Sequence, residues 1–112
     1  MSHPRRELDQ VIHSPVRFSI VATLLPLEQA EFGYVRDTVE LSDSSLSQHV
    51  TTLERAGYLK VDKARAGRRA RTWLSLTPEG RRAFRRHMEV LNRIAAAGAD
   101  GAAAAGGDAA PG

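Results

Sequence analysis

Two groups of side chains in this sequence could do chemistry, and they lie close together along the chain. Ser44, Ser45, Ser47, Gln48, Thr51 and Thr52 supply uncharged hydrogen-bonding groups, and Arg65, Arg68, Arg69 and Arg71 surround Gly67 in the stretch Ala64 to Arg71. A glutamine carboxamide can pair bidentately with adenine N6 and N7, and serine and threonine hydroxyls can bond base edges or phosphates. A guanidinium donates two parallel bonds to phosphate oxygens. Neutral groups beside a cationic loop are therefore suited to a duplex polyanion. The neutral groups would read the bases, and the cations would hold phosphates or enter a minor groove.

These residues need a helix and a hairpin to present them. From Asp43 to Ala56, Leu46, Val50 and Leu53 fall at i, i+4 and i+7, one buried stripe of a helix that leaves the Ser/Thr/Gln set outside. Gln48 is the best candidate on that face for base readout. Gly57 closes the helix, and the period then changes. Leu59 and Val61 alternate with Lys60 and Asp62, and Leu74 and Leu76 alternate with Trp73 and Ser75, so two strands are expected with the arginine loop between them. Thr77-Pro78-Glu79 supplies the cap, the first-turn proline and the first-turn acid of a final helix.

Upstream, Leu8, Val11 and Ile12 give a short apolar face from about Arg6 to His13, read as helical. Ser14-Pro15 starts a helix that runs to about Leu25, apolar on most sides, and Pro26 ends it. Phe32, Val35 and Val39 predict a third helix from Glu28 or Ala30 to Glu40. Only Leu41-Ser42 separates it from the next, with Ser42 or Asp43 as N-cap, which is a helix-turn-helix followed by a hairpin. The expected fold is mainly α with a small β-hairpin, a winged helix-turn-helix over residues 1–97. The Ala/Gly-rich tail, 98–112, has no large apolar residue and is expected to be disordered.

Charge is distributed unevenly. Residues 1–54 carry four arginines against eight carboxylates, whereas residues 55–93 carry twelve lysines and arginines against three. The excess on the second half, not the net +3 of the whole chain, points to a polyanionic partner. Other classes find little support. There is no glycine-rich phosphate loop, no nucleophile beside a base and no carboxylate pair in an apolar setting, so the chain is not read as an enzyme. Asp9 and His13 at i+4 read as a helix surface pair. Cysteine is absent and His3, His13, His49 and His87 have no ligand spacing, so no metal and no cofactor are expected. The most apolar run, Phe18 to Leu25, falls short of the ~20 residues that span a bilayer, and no apolar run follows Arg5 and Arg6; a cytoplasmic location is expected.

With these residues in place, the chain resembles winged-helix transcriptional regulators related to the multiple-antibiotic-resistance (MarR) and ArsR-like families, in their compact form. Three segments carry the resemblance: Leu8 to Arg17, Leu46 to Tyr58, and Leu76-Thr77-Pro78-Glu79-Gly80-Arg81. It covers roughly Leu8 to Ile94. It implies a dimeric regulator of double-stranded DNA, with Ser42 to Ala56 as recognition helix, Ala64 to Arg71 as wing, terminal helices forming the dimer, and a small-molecule effector of unknown kind as a further partner. Two departures stand out. Relatives often place Arg or Lys in the middle of the recognition helix where this chain has Gln48, and the cysteines common in ArsR-like metal sensors are missing. Leu8, Val11 and Ile12, with Phe84, Met88, Leu91 and Ile94, exceed what a small core can cover and are assigned to the dimer interface. The competing reading is a winged helix that binds protein or RNA. Against RNA, Tyr34, Tyr58 and Trp73 are not clustered as a stacking platform.

Overall fold

The computed structural model describes residues 2–66 and 69–105, with the side chains of residues 65, 66 and 69 left aside. A 3-10 turn, Pro4–Glu7, leads into helix α1 (Pro15–Leu24), a short strand β1 (Ala30–Glu31), helices α2 (Phe32–Thr38) and α3 (Asp43–Arg55), strands β2 (Leu59–Ala66) and β3 (Arg69–Leu76), and helix α4 (Pro78–Ala104). The three strands form an antiparallel sheet in the order β1-β3-β2, with Leu59 opposite Leu76, Val61 opposite Leu74 and Ala30 on the other side of Leu74. This is the winged helix-turn-helix expected from the sequence.

Side chains cap each long helix at its start. Ser14 Oγ accepts the Arg17 N–H, Ser42 Oγ the Ser45 N–H, and Thr77 Oγ1 the Gly80 N–H, each covering a donor with no partner inside its own helix. Pro15 and Pro78 occupy first-turn positions where a missing N–H costs nothing. At its C-terminal end α1 is closed by a distant residue. Arg81 on α4 donates to the carbonyls of Leu25 and Leu27 at 2.6 and 3.0 Å, holding the turn that Pro26 forces out of the helix. Gly57, at φ +83°, ends α3 in a Schellman turn, with its N–H bonded to the Glu54 carbonyl and that of Tyr58 to Leu53. Glu40, two residues past the end of α2, takes φ +56°, a left-handed conformation that turns the chain before α3 begins at Asp43.

The core lies where α1, α3, α4 and one face of the sheet meet. Ile20, Val21 and Leu24 from α1 pack with Leu46, Val50 and Leu53 from α3, with Leu59, Leu74 and Leu76 from the sheet, and with Ala83 and Phe84 from α4. Leu46 and Leu53 are fully buried, so the stripe read from the sequence is the inner face of α3.

Four expectations are corrected. Residues 6–13 form no α-helix beyond the 3-10 turn: Leu8 is extended, and Asp9, whose carboxylate accepts the Val11 and Ile12 N–H groups at 2.9 and 3.2 Å and whose carbonyl accepts the His13 N–H at 2.7 Å, caps one turn that goes no further. Asp9 and His13 are therefore no helix surface pair. Ala30 and Glu31 extend along β3 instead of opening α2. Helix α4 passes Gly98 and continues to Ala104; the expected tail beyond residue 105 lies outside the described residues. Finally, Ile12 and Phe84, assigned to a dimer interface, are 0% and 8% exposed within the single chain. The turn at residues 10–12 folds Ile12 into the chain's own core.

Two glycine substitutions should act in opposite directions. A Cβ at Gly80 would lie 2.1 Å from the Tyr58 carbonyl oxygen, whereas one at Gly98 meets nothing within 4 Å. Urea unfolding should show Gly80→Ala less stable by about 2–3 kcal/mol through overpacking and Gly98→Ala more stable by about 0.5 kcal/mol through helix propensity. Equal effects at the two sites would contradict this account.

Candidate nucleic-acid interface

Ser44, Ser47, Gln48 and Thr51 lie exposed on the outer face of α3, and Ser45 and Thr52 are half-buried at its edges. The hydroxyls differ in what they still offer. Ser42 Oγ caps the helix and lies 3.4 Å from Ser44 Oγ. Thr51 and Thr52 donate back to the carbonyls of Ser47 and Gln48 at 3.0 and 3.2 Å. With their protons engaged, these two threonines present acceptor lone pairs and methyl groups outward.

The six residues of the face carry no charge, whereas Asp43 at the start of the helix and Glu54 at the cleft do. Arg36 of α2 bonds Asp37 and Asp43 at 2.9 and 2.8 Å across the turn between the two helices. These exposed pairs hold the Asp37 carboxyl below its ordinary range through the hydrogen bond from Arg36. Behind α3, Arg17 of α1 approaches His49 Nδ1 at 3.3 Å while its Nε donates to the Val11 carbonyl at 2.6 Å. Burial, and then the Arg17 charge, push the His49 imidazole below its ordinary range. A neutral ring is the form that accepts from a guanidinium.

Beside α3 the hairpin walls a cleft of about 600 Å³. Ser47, Thr51 and Glu54 line it from the helix, Lys63 and Thr72 from the strands, and Val50 and Leu74 are among its apolar residues. Lys63 and Thr72 are register partners. They were missed in the sequence, although the signal was there: Lys63 continues the inward parity of Leu59 and Val61, and Thr72 that of Leu76 and Leu74. By the same alternation Arg71 lies on the opposite face, where its Nη1 is 3.3 Å from Glu31 Oε1. The expected contacts from Arg68 and from the side chains of Arg65 and Arg69 lie outside the described residues.

A second cavity, of about 340 Å³, opens between the N-terminal segment, α1 and α4, with Phe18, His87 and Leu91 in its wall. Of the residues assigned to a dimer, Leu8, Val11, Met88, Leu91 and Ile94 remain half-exposed, and the last turns of α4 are largely exposed. Among the described residues, no helix is long and apolar enough to cross a membrane.

A helix-turn-helix with a hairpin wing beside an uncharged recognition face defines a class, the winged-helix DNA-binding domains. Comparison with known proteins agrees. The family of winged helix DNA-binding domains matches residues 16–95, and the chain belongs to it. An uncharacterized protein of Methanocaldococcus jannaschii is 34% identical over 83 residues, covering 73% of this chain and 90% of that one. A transcriptional regulator homologue from Pyrococcus horikoshii superposes with a TM-score of 0.79 at 28% identity, over 86% of this chain and 97% of that one. The PcaV transcriptional regulator from Streptomyces coelicolor, solved in complex with its natural ligand, gives a TM-score of 0.63 at 28% identity, over 83% and 64% of the two chains. The protein is thus a DNA-binding regulator of MarR-like fold.

The pairing behind α3 is open to test. Arg17→Ala removes one of the two causes that lower His49, so the His49 titration followed by NMR should move toward the ordinary imidazole value. It should stop short of that value, because burial remains the larger cause. No movement would mean that Arg17 does not act on the ring.

Proposed function

We propose that the protein is a sequence-specific regulator that binds double-stranded DNA as a homodimer, with α3 in the major groove and the hairpin on phosphates or in the adjoining minor groove. The observation that carries this reading is the uncharged hydrogen-bonding face of α3 set beside a cleft whose hairpin wall bears Lys63. A helix fits the major groove. The cleft beside it is assigned to a sugar-phosphate strand, with Lys63 and Thr72 as donors from the hairpin and Glu54 as the carboxylate on the helix wall, and Arg65, Arg68 and Arg69 of the wing sequence are expected to supply further phosphate contacts. Gln48 is the base reader, and Ser44, Ser47, Thr51 and Thr52 complete the reading face.

The dimer rests on Leu8, Val11, Met88, Leu91 and Ile94, the assigned residues left partly exposed, together with the exposed end of α4. A two-fold dimer reads an inverted repeat whose half-sites lie about one helical turn, or a multiple of it, apart. The likeness to PcaV and the cavity at Phe18, His87 and Leu91 support control by a small apolar effector held there.

Readout and clamping should separate in a binding assay. In fluorescence anisotropy across a salt series, a dimer that neutralises six to ten phosphates should lose affinity with a log-log slope of roughly −5 to −9. Gln48→Ala should weaken the preferred site by about 1–3 kcal/mol and random duplex far less. Arg68→Ala with Arg69→Ala, and Lys63→Ala separately, should weaken both duplexes and flatten the slope. Equal losses on all sequences for Gln48→Ala would remove it from base readout. Binding to single-stranded RNA or to a protein in place of duplex would favour the competing reading.

A further inference from the structure

DNA reading leaves unused a chain of hydrogen bonds that joins α4 to the end of the recognition helix. His87 on α4 is 2% exposed, and its Nδ1 accepts the Asp9 N–H at 3.2 Å. The Asp9 carboxylate takes the Val11 and Ile12 N–H groups on one oxygen and the Tyr58 hydroxyl on the other. Tyr58 in turn is bonded through its own N–H to the Leu53 carbonyl of α3. One imidazole on α4 is thus linked, bond by bond, to the last turn of α3. Arg17 makes a second strut from the same N-terminal segment, running from the Val11 carbonyl to His49 in the middle of α3.

An imidazole nitrogen accepts a hydrogen bond only when it carries no proton, so the Asp9 N–H assigns His87 the neutral form with its proton on Nε2. Protonating Nδ1 would set one donor against another and leave a cation in a buried site. The groups facing His87 decide where that charge turns. The N-terminal segment presents Asp9 and His13, whose ring lies 5.5 Å away, and α1 presents Phe18 at 6.1 Å. On α4 itself Arg86 and Glu79 act on Tyr58 with opposite signs. Asp9 is the one anion acting on His87. An imidazolium draws that carboxylate toward itself and away from Tyr58 and the two N–H groups that fix residues 9–12.

We propose that His87, Asp9 and Tyr58 form a proton-operated coupling that holds the recognition helix in its DNA-reading position while His87 is neutral and releases it when His87 is protonated. The proposal rests on the DNA-reading role given above. Burial and the neighbouring His13 hold the His87 imidazole below its ordinary range, against the opposing pull of Asp9. The unfolded chain therefore takes up the proton first as pH falls. The stabilisation is complete above about pH 6.5 and is lost as pH drops through the folded His87 value.

The test uses the full chain and two readouts between pH 7.5 and 5.5. Without DNA, NMR follows the His87 ring, the Asp9 amide and the Tyr58 ring, and all three should titrate with one midpoint. With a duplex bound at pH 7.5, anisotropy should show affinity falling several-fold on acidification, as the proton is taken up by the form that binds DNA less tightly. His87→Asn keeps an acceptor near the Nδ1 position but cannot titrate, and should abolish most of that fall. Tyr58→Phe keeps the ring but cuts the link, and should lower affinity at pH 7.5 and flatten the response. His49→Asn, measured alongside, separates the contribution of that histidine. Asp9 and Tyr58 signals that ignore His87, or a wild-type pH response retained by both His87→Asn and Tyr58→Phe, would overturn the coupling. Should His87→Asn fail to fold, the wild-type titration and Tyr58→Phe decide. Absence of all duplex binding at pH 7.5 with the three signals still titrating together would sink the DNA reading and leave the hydrogen-bonded relay standing.

Discussion

The first turn of α4 lies directly against the backbone of Tyr58, so close that no side chain fits at Gly80. Around that contact, Thr77 gives its N–H to the Tyr58 carbonyl at 3.0 Å and its hydroxyl to the Gly57 carbonyl at 2.6 Å, while Thr77 Oγ1 accepts the Gly80 N–H. Four elements pass through this junction. The recognition helix ends there, β2 leaves it, β3 returns to it at Leu76, and α4 starts from it. Side-chain packing tolerates shifts between apolar residues of similar volume, but a set of backbone hydrogen bonds does not. The C-terminal end of α3 is therefore tied to the wing and to the start of α4 through Gly57, Tyr58, Thr77 and Gly80.

The N-terminal segment adds a second restraint, reached through polar side chains. Residues 8–13 have no regular structure of their own, yet Asp9 joins them to Tyr58 and to His87, Arg17 joins them to His49, and Ile12 is buried in the core. Just before them, Arg93 grips Glu7 with both guanidinium nitrogens at 2.8 and 3.0 Å. Burial and the bond to Asp9 push the Tyr58 hydroxyl up to about 12, so it remains a donor throughout the physiological range. The segment acts as a clasp across α4 and the inner side of α3. Through His87 and Arg93, the middle of α4 is thus in contact with a piece of chain that also touches the recognition helix.

Much of this was legible in the sequence, for physical reasons. The α3 stripe of Leu46, Val50 and Leu53, the caps Ser14 and Thr77, the Schellman glycine Gly57 and the alternation of the two long strands are local signals, set by period and turn chemistry. The parts that were not legible are set by contacts distant in sequence. Asp9 has a carboxylate placed to cap a local turn, but nothing local says that Tyr58 will take its other oxygen. Ala30 and Glu31 pair with β3 only because Leu74 and Trp73 lie alongside. The apolar residues at 12 and 84 look surplus to a small core until the chain turns Ile12 inward. Lys63 and Thr72 continue the inward parity of their strands, but being polar they do not show in an apolar alternation.

The charge pattern is also clearer in three dimensions than in a count. Several of the cations serve the fold itself: Arg81 closes α1, Arg17 braces α3, Arg36 holds the turn before it, and Arg93 binds the N-terminal turn. The second-half excess is thus not all available to a polyanion. At the proposed interface the division of labour becomes sharper as a result. The hairpin wall contributes positive charge through Lys63, which strengthens binding to any duplex, and the Ser/Thr/Gln face of α3 contributes none. On α3, Thr51 and Thr52 spend their protons on their own helix, so they offer acceptors and methyl groups. In the major groove, acceptors meet the amino groups of adenine and cytosine, and methyl groups meet thymine. A face of that kind gains little from phosphates, and whatever affinity it contributes depends on the bases beneath it.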